Sequence, residues 1–330
     1  MFKSWPGFIL TLCILLGSIL TIIYITGNHK IISTNNLVCD AGCLEKRLYR
    51  HIRVLSEEIG ERHFENTGSL EKTADYIEQE WIAEGLQPVR QSYADNTYHN
   101  IIAEIRGSKQ LDEIIIVGAH YDTVWLSPGA NDNASGVAAL LELSRNLVKL
   151  NPERTVRFVA FTNEEQPFAG LDEMGSMVYA RLLHQQGENV VAMYSLEMLG
   201  YYSDKPGSQS YPVPLSWFYP DQANFIAFVG NIQSGCLLWQ SLNAFRRHSD
   251  FPAQGLIMSE RLVPDIRRSD HASFWDAGYP AVMVTDTAEF RNIHYHTVGD
   301  VMRTLDLKKM AGVVEGLTMM LAGLAGINED

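Results

Sequence analysis

Four apolar runs in this chain hand over, at their ends, to groups that can bind a metal or move a proton. EIIIVGA (113–119) leads into His120, Tyr121 and Asp122. A short loop later comes GANDNASG (129–136), which carries Asp132 and opens a helical pattern. TVRFVAFT (155–162) leads into Asn163, Glu164 and Glu165, and NVVAMYSL (189–196) into Glu197. PAVMVTD (280–286) is followed by a loop and then His294, Tyr295, His296 and Thr297. His, Asp, Glu, Glu and His form a nitrogen and oxygen donor set suited to zinc, without thiolates. The Glu164-Glu165 doublet adds a division of labour. Neighbours leaving a strand point opposite ways, so one carboxylate can bind a metal while the other reaches a bound water. Any one of these residues alone would be an ordinary loop group; the chemistry lies in their coincidence.

Such groups need a frame. In open α/β sheets, ligand-binding residues collect at the carboxyl ends of strands. Besides the four runs above, NIIAEI (100–105) and FIAFVG (225–230) have strand character. Helical patterns cover 44–59, 69–84, 135–150, 174–186, 236–248, 271–277 and 307–325. Strands interleaved with helices predict an α/β fold, with a mostly parallel central sheet sandwiched between helix layers. No repeat or Pro/Gly/Ser-rich linker divides residues 44–330, so they read as one catalytic domain with a loop insertion around 203–223.

Composition narrows the function classes. With 330 residues, 46% hydrophobic and 20% charged, the chain is neither disordered nor collagen-like. A net charge of −13 without a basic run argues against nucleic acid as a partner. Four cysteines with no CxxC pair exclude a disulfide scaffold, a zinc ribbon and a thioredoxin-like redox site.

The N-terminus differs from the rest. Residues 4–29 carry no charge, and residues 7–27 (GFILTLCILLGSILTIIYITG) are apolar enough to cross a membrane as a helix of about 30 Å. The run is long, and no small-x-small exit follows it cleanly. Residues 1–30 therefore read as one uncleaved transmembrane signal anchor, with a cleaved signal peptide as the alternative. Residues 31–43 form a polar tether ending in Cys39 and Cys43, which could pair in an oxidising compartment. Either reading places the remainder outside the cytoplasm, in a periplasmic or extracellular space.

Taken in order, GAHYDTV, GANDNASGVAALLELSR, FTNEEQ, LEMLG, SDHASFW and YHTVGD resemble the di-zinc exopeptidases of clan MH. That family holds leucyl and general aminopeptidases, glutamate carboxypeptidases and glutaminyl cyclases, with the transferrin receptor ectodomain as a non-catalytic relative. The resemblance spans most of residues 45–325 and implies the zinc exopeptidase fold. It implies that Asp132 bridges two zinc ions, that His120 and Glu197 complete one metal, and that Glu165 and His296 complete the other. It makes Glu164 the general base and Asp122 the group that orients His120. Tyr295 resembles a tyrosine that in some members polarises the scissile carbonyl, and Asp270 and His271 lie near the site in many relatives. The context of YHT favours His296 over His294 as the ligand. Glu197 stands where the family usually has Asp; one methylene longer, it can still ligate or can leave the second zinc weakly held. The sequon Asn133-Ala134-Ser135 lies inside the metal loop, where a glycan would block the site.

The function implied is a zinc-dependent exopeptidase, foremost an aminopeptidase acting on peptides. The alternatives are a glutaminyl-cyclase-like acyltransferase with one zinc and a binding ectodomain without catalysis. A full set of five ligands plus a base argues for two metals and for catalysis.

Overall fold

A computed structural model describes residues 41–212 and 215–327. The apolar run at 7–27, the first ten residues of the tether and Cys39 lie outside the described residues. Among those described, no helix is long and apolar enough to cross a membrane.

The chain opens with α1 (Ala41–Arg53), which runs on into a wide turn at Val54–Ile59. After it comes α2 (Thr67–Ala83), whose start is capped by Asn66 accepting the Ser69 N–H. Strands β1 (Val89–Tyr93), β2 (Tyr98–Ile105) and β3 (Gln110–His120) follow. Then come α3 (Gly136–Leu147), β4 (Arg154–Phe161), α4 (Gly175–Gln186) and β5 (Asn189–Glu197). The second half holds β6 (Ile226–Asn231), α5 (Gly235–His248), β7 (Ala253–Met258), α6 (His271–Asp276), β8 (Ala281–Thr285) and α7 (Leu307–Leu324).

All eight strands form one sheet in the order β1-β2-β4-β3-β5-β8-β6-β7. The sheet is more mixed than the alternation of strands and helices predicts. The ladders β4·β3, β3·β5, β5·β8 and β6·β7 are parallel. Those joining β1 to β2, β2 to β4 and β8 to β6 are antiparallel. The parallel run β4-β3-β5-β8 forms the centre, which both faces bury, and there the apolar runs are continuous. The strands without a sequence signal, β1 and β7, are the two edges. Their residues are mostly half-buried or exposed, so no apolar run marks them.

Side-chain alternation divides the core. Ile115 and Val117 of β3, Tyr194 and Leu196 of β5 and Val282 and Val284 of β8 pack under α1, α2, α3, α5 and α7. Ile114 and Ile116, Met193, and Ala281 and Met283 pack on the other face, under α4 and α6. That second layer is thin: α4 has 12 residues and α6 only six. Over β6 and β7 it is completed by loop residues, among them Tyr211, Tyr219, Val263 and Ile266.

Candidate metal centre

Each site residue arrives by a short structural argument. His120 ends β3, Glu164 and Glu165 follow β4, and Glu197 ends β5. Asp132 sits in a wide turn (Ala130–Ser135) that runs into α3, with a cis peptide between Asp132 and Asn133. Gly129 enters that turn at φ +61°; a Cβ there would meet Thr123 and the Asp132 carbonyl, so only glycine fits. His296 lies on the loop after β8, its side chain 34% exposed at the rim.

These groups converge as two triads sharing one carboxylate: His120, Asp132 and Glu197, and Asp132, Glu165 and His296. Asp132 faces both ways. Its Oδ1 is 3.4 Å from His120 Nε2, and its Oδ2 is 3.1 Å from His296 Nε2. His120 Nε2 is also 3.4 Å from Glu197 Oε2, and His296 Nε2 is 3.2 Å from Glu165 Oε1. Glu164 Oε2 lies 3.9 Å from His120 Nε2. His120 Nε2, Asp132 Oδ1 and Glu165 Oε1 are buried yet have no hydrogen-bond partner. Buried polar atoms left unpaired are costly, and three of them aimed into one gap between acids fit a cation.

The electrostatics point the same way. Burial, with Glu197 and Glu165 crowding it, pushes the Glu164 carboxyl well above its usual range. Burial and Asp132 push Glu165 up to about 7. Burial, more weakly helped by Glu197 and Asp122, takes Asp270 to about 7. The imidazoles answer the acids. Against the effect of burial, Glu164 and Glu197 raise His120 well above its usual value, and Asp132 and Glu165 raise His296 to about 10. Asp132 alone among these acids is lowered, because the two imidazoles outweigh its burial.

Asp122 lies beside His120, as the sequence leads one to expect, with its carboxylate Oδ1 3.5 Å from His120 Nδ1. His120 Nδ1–H donates to the Asp122 carbonyl oxygen at 3.2 Å, which leaves Nε2 as the free ligand atom. The Asp122 carboxylate also accepts the backbone N–H groups of Glu164 and Glu165, both at 3.1 Å, and so fixes the doublet. Tyr295 stacks on the His296 ring at 3.7 Å, and its hydroxyl accepts from Arg268 at 3.1 Å. Asp270 is buried with both oxygens unpartnered. His271 is not brought to either triad. Its Nε2–H donates to the Ile266 carbonyl, its ring meets Trp275 edge-on, and burial lowers it to about 4. His294 likewise joins neither triad. Asn133 is fully buried and donates to the Leu196 carbonyl at 2.8 Å, so the sequon asparagine serves the fold.

Three supporting residues escaped sequence reasoning. Asp300 accepts the N–H groups of Asn131 and Asp132, both at 2.9 Å, and pins the metal loop. It lies inside YHTVGD, so proximity to that motif was its only signal. Arg62, fully buried, donates to the carbonyls of Leu55, Gly60, Tyr121, Pro128 and Gly129. Burial lowers it to about 10, with Asp300 opposing that. Ser269 donates to Glu197 Oε2 at 2.6 Å. The 203–223 insertion walls the cleft: Gln209, Tyr211, Leu215 and Tyr219 line a cavity of about 600 Å³ that opens onto Asp132, Glu165 and His296.

Comparison with known proteins yields relatives over most of the chain. The sequence model of peptidase family M28 matches residues 100–320. An Escherichia coli K12 protein, the uncharacterized YfbL, is 39% identical over 287 residues, covering 84% of this chain and 87% of YfbL. A Leptosphaeria maculans protein named as a probable zinc metalloprotease is 26% identical over 239 residues, 65% of this chain but only 54% of its own length. The aminopeptidase LapA of Legionella pneumophila superposes with a TM-score of 0.70 at 17% identity, over 93% of this chain and 79% of LapA. At that identity the likeness is one of fold.

Proposed function

The chain belongs to peptidase family M28, and from that premise we propose that it is a zinc-dependent aminopeptidase, held at a membrane by residues 7–27 with its catalytic part outside the cytoplasm. The observation that carries the reading is the pair of triads hinged on Asp132, with Glu164 beside them. His120, Asp132 and Glu197 would hold one zinc, and Asp132, Glu165 and His296 the other. Bound zinc would lower the pKa of a water to about 7 and polarise a peptide carbonyl.

The chain's own residues do the remainder. Glu164 stands at the edge of the ligand set, 14% exposed, where substrate and water can reach it. Its carboxylate takes a proton from the attacking water and passes it to the departing amine nitrogen. The Asp122 carboxylate, holding both N–H groups of the doublet, keeps Glu164 turned to the reaction and Glu165 to the metal. Tyr295, stacked on His296 and bonded to Arg268, would donate its hydroxyl to the carbonyl oxygen of the scissile bond. The relatives support this reading: LapA of Legionella pneumophila is an aminopeptidase, and the Leptosphaeria maculans relative is a probable zinc metalloprotease.

Purified protein supplied with zinc should hydrolyse aminoacyl-p-nitroanilides, and a chelator should abolish the activity reversibly. Zinc-loaded protein that cleaves no member of such a series would sink the proposal. The membrane part has its own test. Deleting residues 1–30 should yield a soluble, active protein, and a reporter fused after Asp330 of the full chain should report from the outer side. A cytoplasmic signal would reverse the orientation.

A further inference from the structure

The 600 Å³ cavity has a floor whose geometry follows from strand register. Metal ligand Glu197 pairs with Thr285 on β8, Thr285 with Ala227 on β6, and Ala227 with Gln254 on β7. A second row runs beside it through Met283, Val229 and Leu256. At about 4.8 Å per strand, three steps carry the first row roughly 14 Å from the metal centre to the edge of the sheet. All six residues beyond Glu197 line the cavity. It exists because α4 and α6 leave this face of β6 and β7 uncovered by helix.

A sheet face offers side chains only, since its backbone groups lie in the plane and pair within it. An extended peptide laid across it would find no partners for its N–H and C=O groups. An apolar side chain would find Ala227, Val229, Met283 and Leu256. At roughly 30 Å³ per water-sized atom, the ~600 Å³ volume takes about twenty non-hydrogen atoms. That is several times what a leucine side chain fills. An aromatic side chain, with about seven or eight such atoms, fills over a third of it, and the metal end is left for the backbone of the same residue. At the far end stands the half-buried Gln254, whose amide offers a partner to a polar tip. Arg267 is also there, already paired with Asp276 at 2.7 Å. An apolar body with one polar tip describes tyrosine.

We infer that the Thr285-Ala227-Gln254 row is the floor of a specificity pocket that selects a large aromatic residue at the N-terminus of the substrate, tyrosine foremost. The inference rests on the aminopeptidase reading. It is tested with zinc-loaded protein on the p-nitroanilides of Tyr, Phe, Leu and Ala. Wild type should prefer Tyr and Phe over Ala by at least about 100-fold in kcat/KM, and over Leu by several-fold, as for pockets that gain several buried carbons. Ala227→Leu puts a branched side chain in mid-floor and should cut the Tyr-to-Ala ratio at least ~10-fold. Gln254→Leu should lower the Tyr-to-Phe ratio. A wild type that prefers Leu or Ala overturns the inference without any variant having to fold, and so does an unchanged Tyr-to-Ala ratio in folded Ala227→Leu. Failure on all four substrates would strike the aminopeptidase reading itself, a distinguishable result.

Discussion

Two places in this molecule bury carboxylates, and they resolve the difficulty in opposite ways. On the helical side, Glu142 of α3 is fully buried, but donors from α1 and from α3 itself surround it. Arg47 Nε donates to one oxygen at 2.7 Å, His51 Nε2 meets the other at 3.0 Å, and Arg145 approaches at 3.5 Å. Burial raises its pKa, yet His51 and Arg47 outweigh that and the net shift is downward. At the strand ends, Asp132, Glu164, Glu165 and Glu197 share two imidazoles, and the buried Arg62 guanidinium gives its hydrogen bonds to carbonyls rather than to these acids. There Glu164 and Glu165 shift upward, and buried oxygens lack partners. A protein can satisfy a buried acid with its own cations. Where it assembles acids and withholds the cations, the deficit marks a place for a metal.

The contrast breaks most visibly at Asp132. Asp132→Ala removes a carboxylate from both triads together with the charge between them, and activity should fall to background with the bound zinc lost. Zinc per chain, measured by inductively coupled plasma spectrometry, should drop further than in Glu197→Ala. Equal losses would argue that Asp132 does not bridge. Glu164→Gln is the next largest effect. It keeps shape and ligands but removes the proton acceptor, so kcat should fall by about 10²–10⁴ with zinc retained. Near-wild-type turnover would assign the base elsewhere.

Much of this centre was legible in the sequence because three of its side chains follow buried apolar strands, and such strands are what periodicity detects best. His120, Glu165 and Glu197 each come within a few residues of a run that could hardly be anything else. The supporting shell was not legible. Arg62 lies between α1 and α2 with no pattern around it, and its role exists only because the chain returns there with Tyr121, Pro128 and Gly129. Asp122 was legible as a neighbour of His120, but its carboxylate also holds the backbone N–H groups of Glu164 and Glu165, which no local pattern announces. His271, next to Asp270 in sequence, turns into the core because successive residues at a helix start diverge. The edge strands β1 and β7 went unseen for want of burial, and β7 turned out to end the cavity floor.

The smallest effect is also the sharpest test of the comparison, because one substitution should act with opposite signs at the two places. Glu142 has a lowered folded pKa. Its ionised form therefore stabilises the fold above its unfolded pKa, near 4.5, and that contribution is lost as pH falls through the folded value. Glu142→Gln should cost about 1–3 kcal/mol at pH 7, the scale of a hydrogen bond to a charged group. The deficit should shrink below pH 4.5. Glu165 is raised to about 7. In zinc-free protein its ionisation opposes folding, and stability on its account declines as pH climbs from 4.5 to 7. Glu165→Gln in chelator should therefore leave the protein as stable as wild type or more so at pH 7, and the advantage should vanish near pH 4. Adding zinc should invert the order, since wild type binds it with a full ligand set and gains the linked stabilisation. Urea midpoints at pH 7 and pH 4, with and without zinc, read all of these signs. If Glu165→Gln were as destabilising as Glu142→Gln in chelator, the strand-end acids would be satisfied by the protein alone, and the argument for a built-in cation deficit would fail.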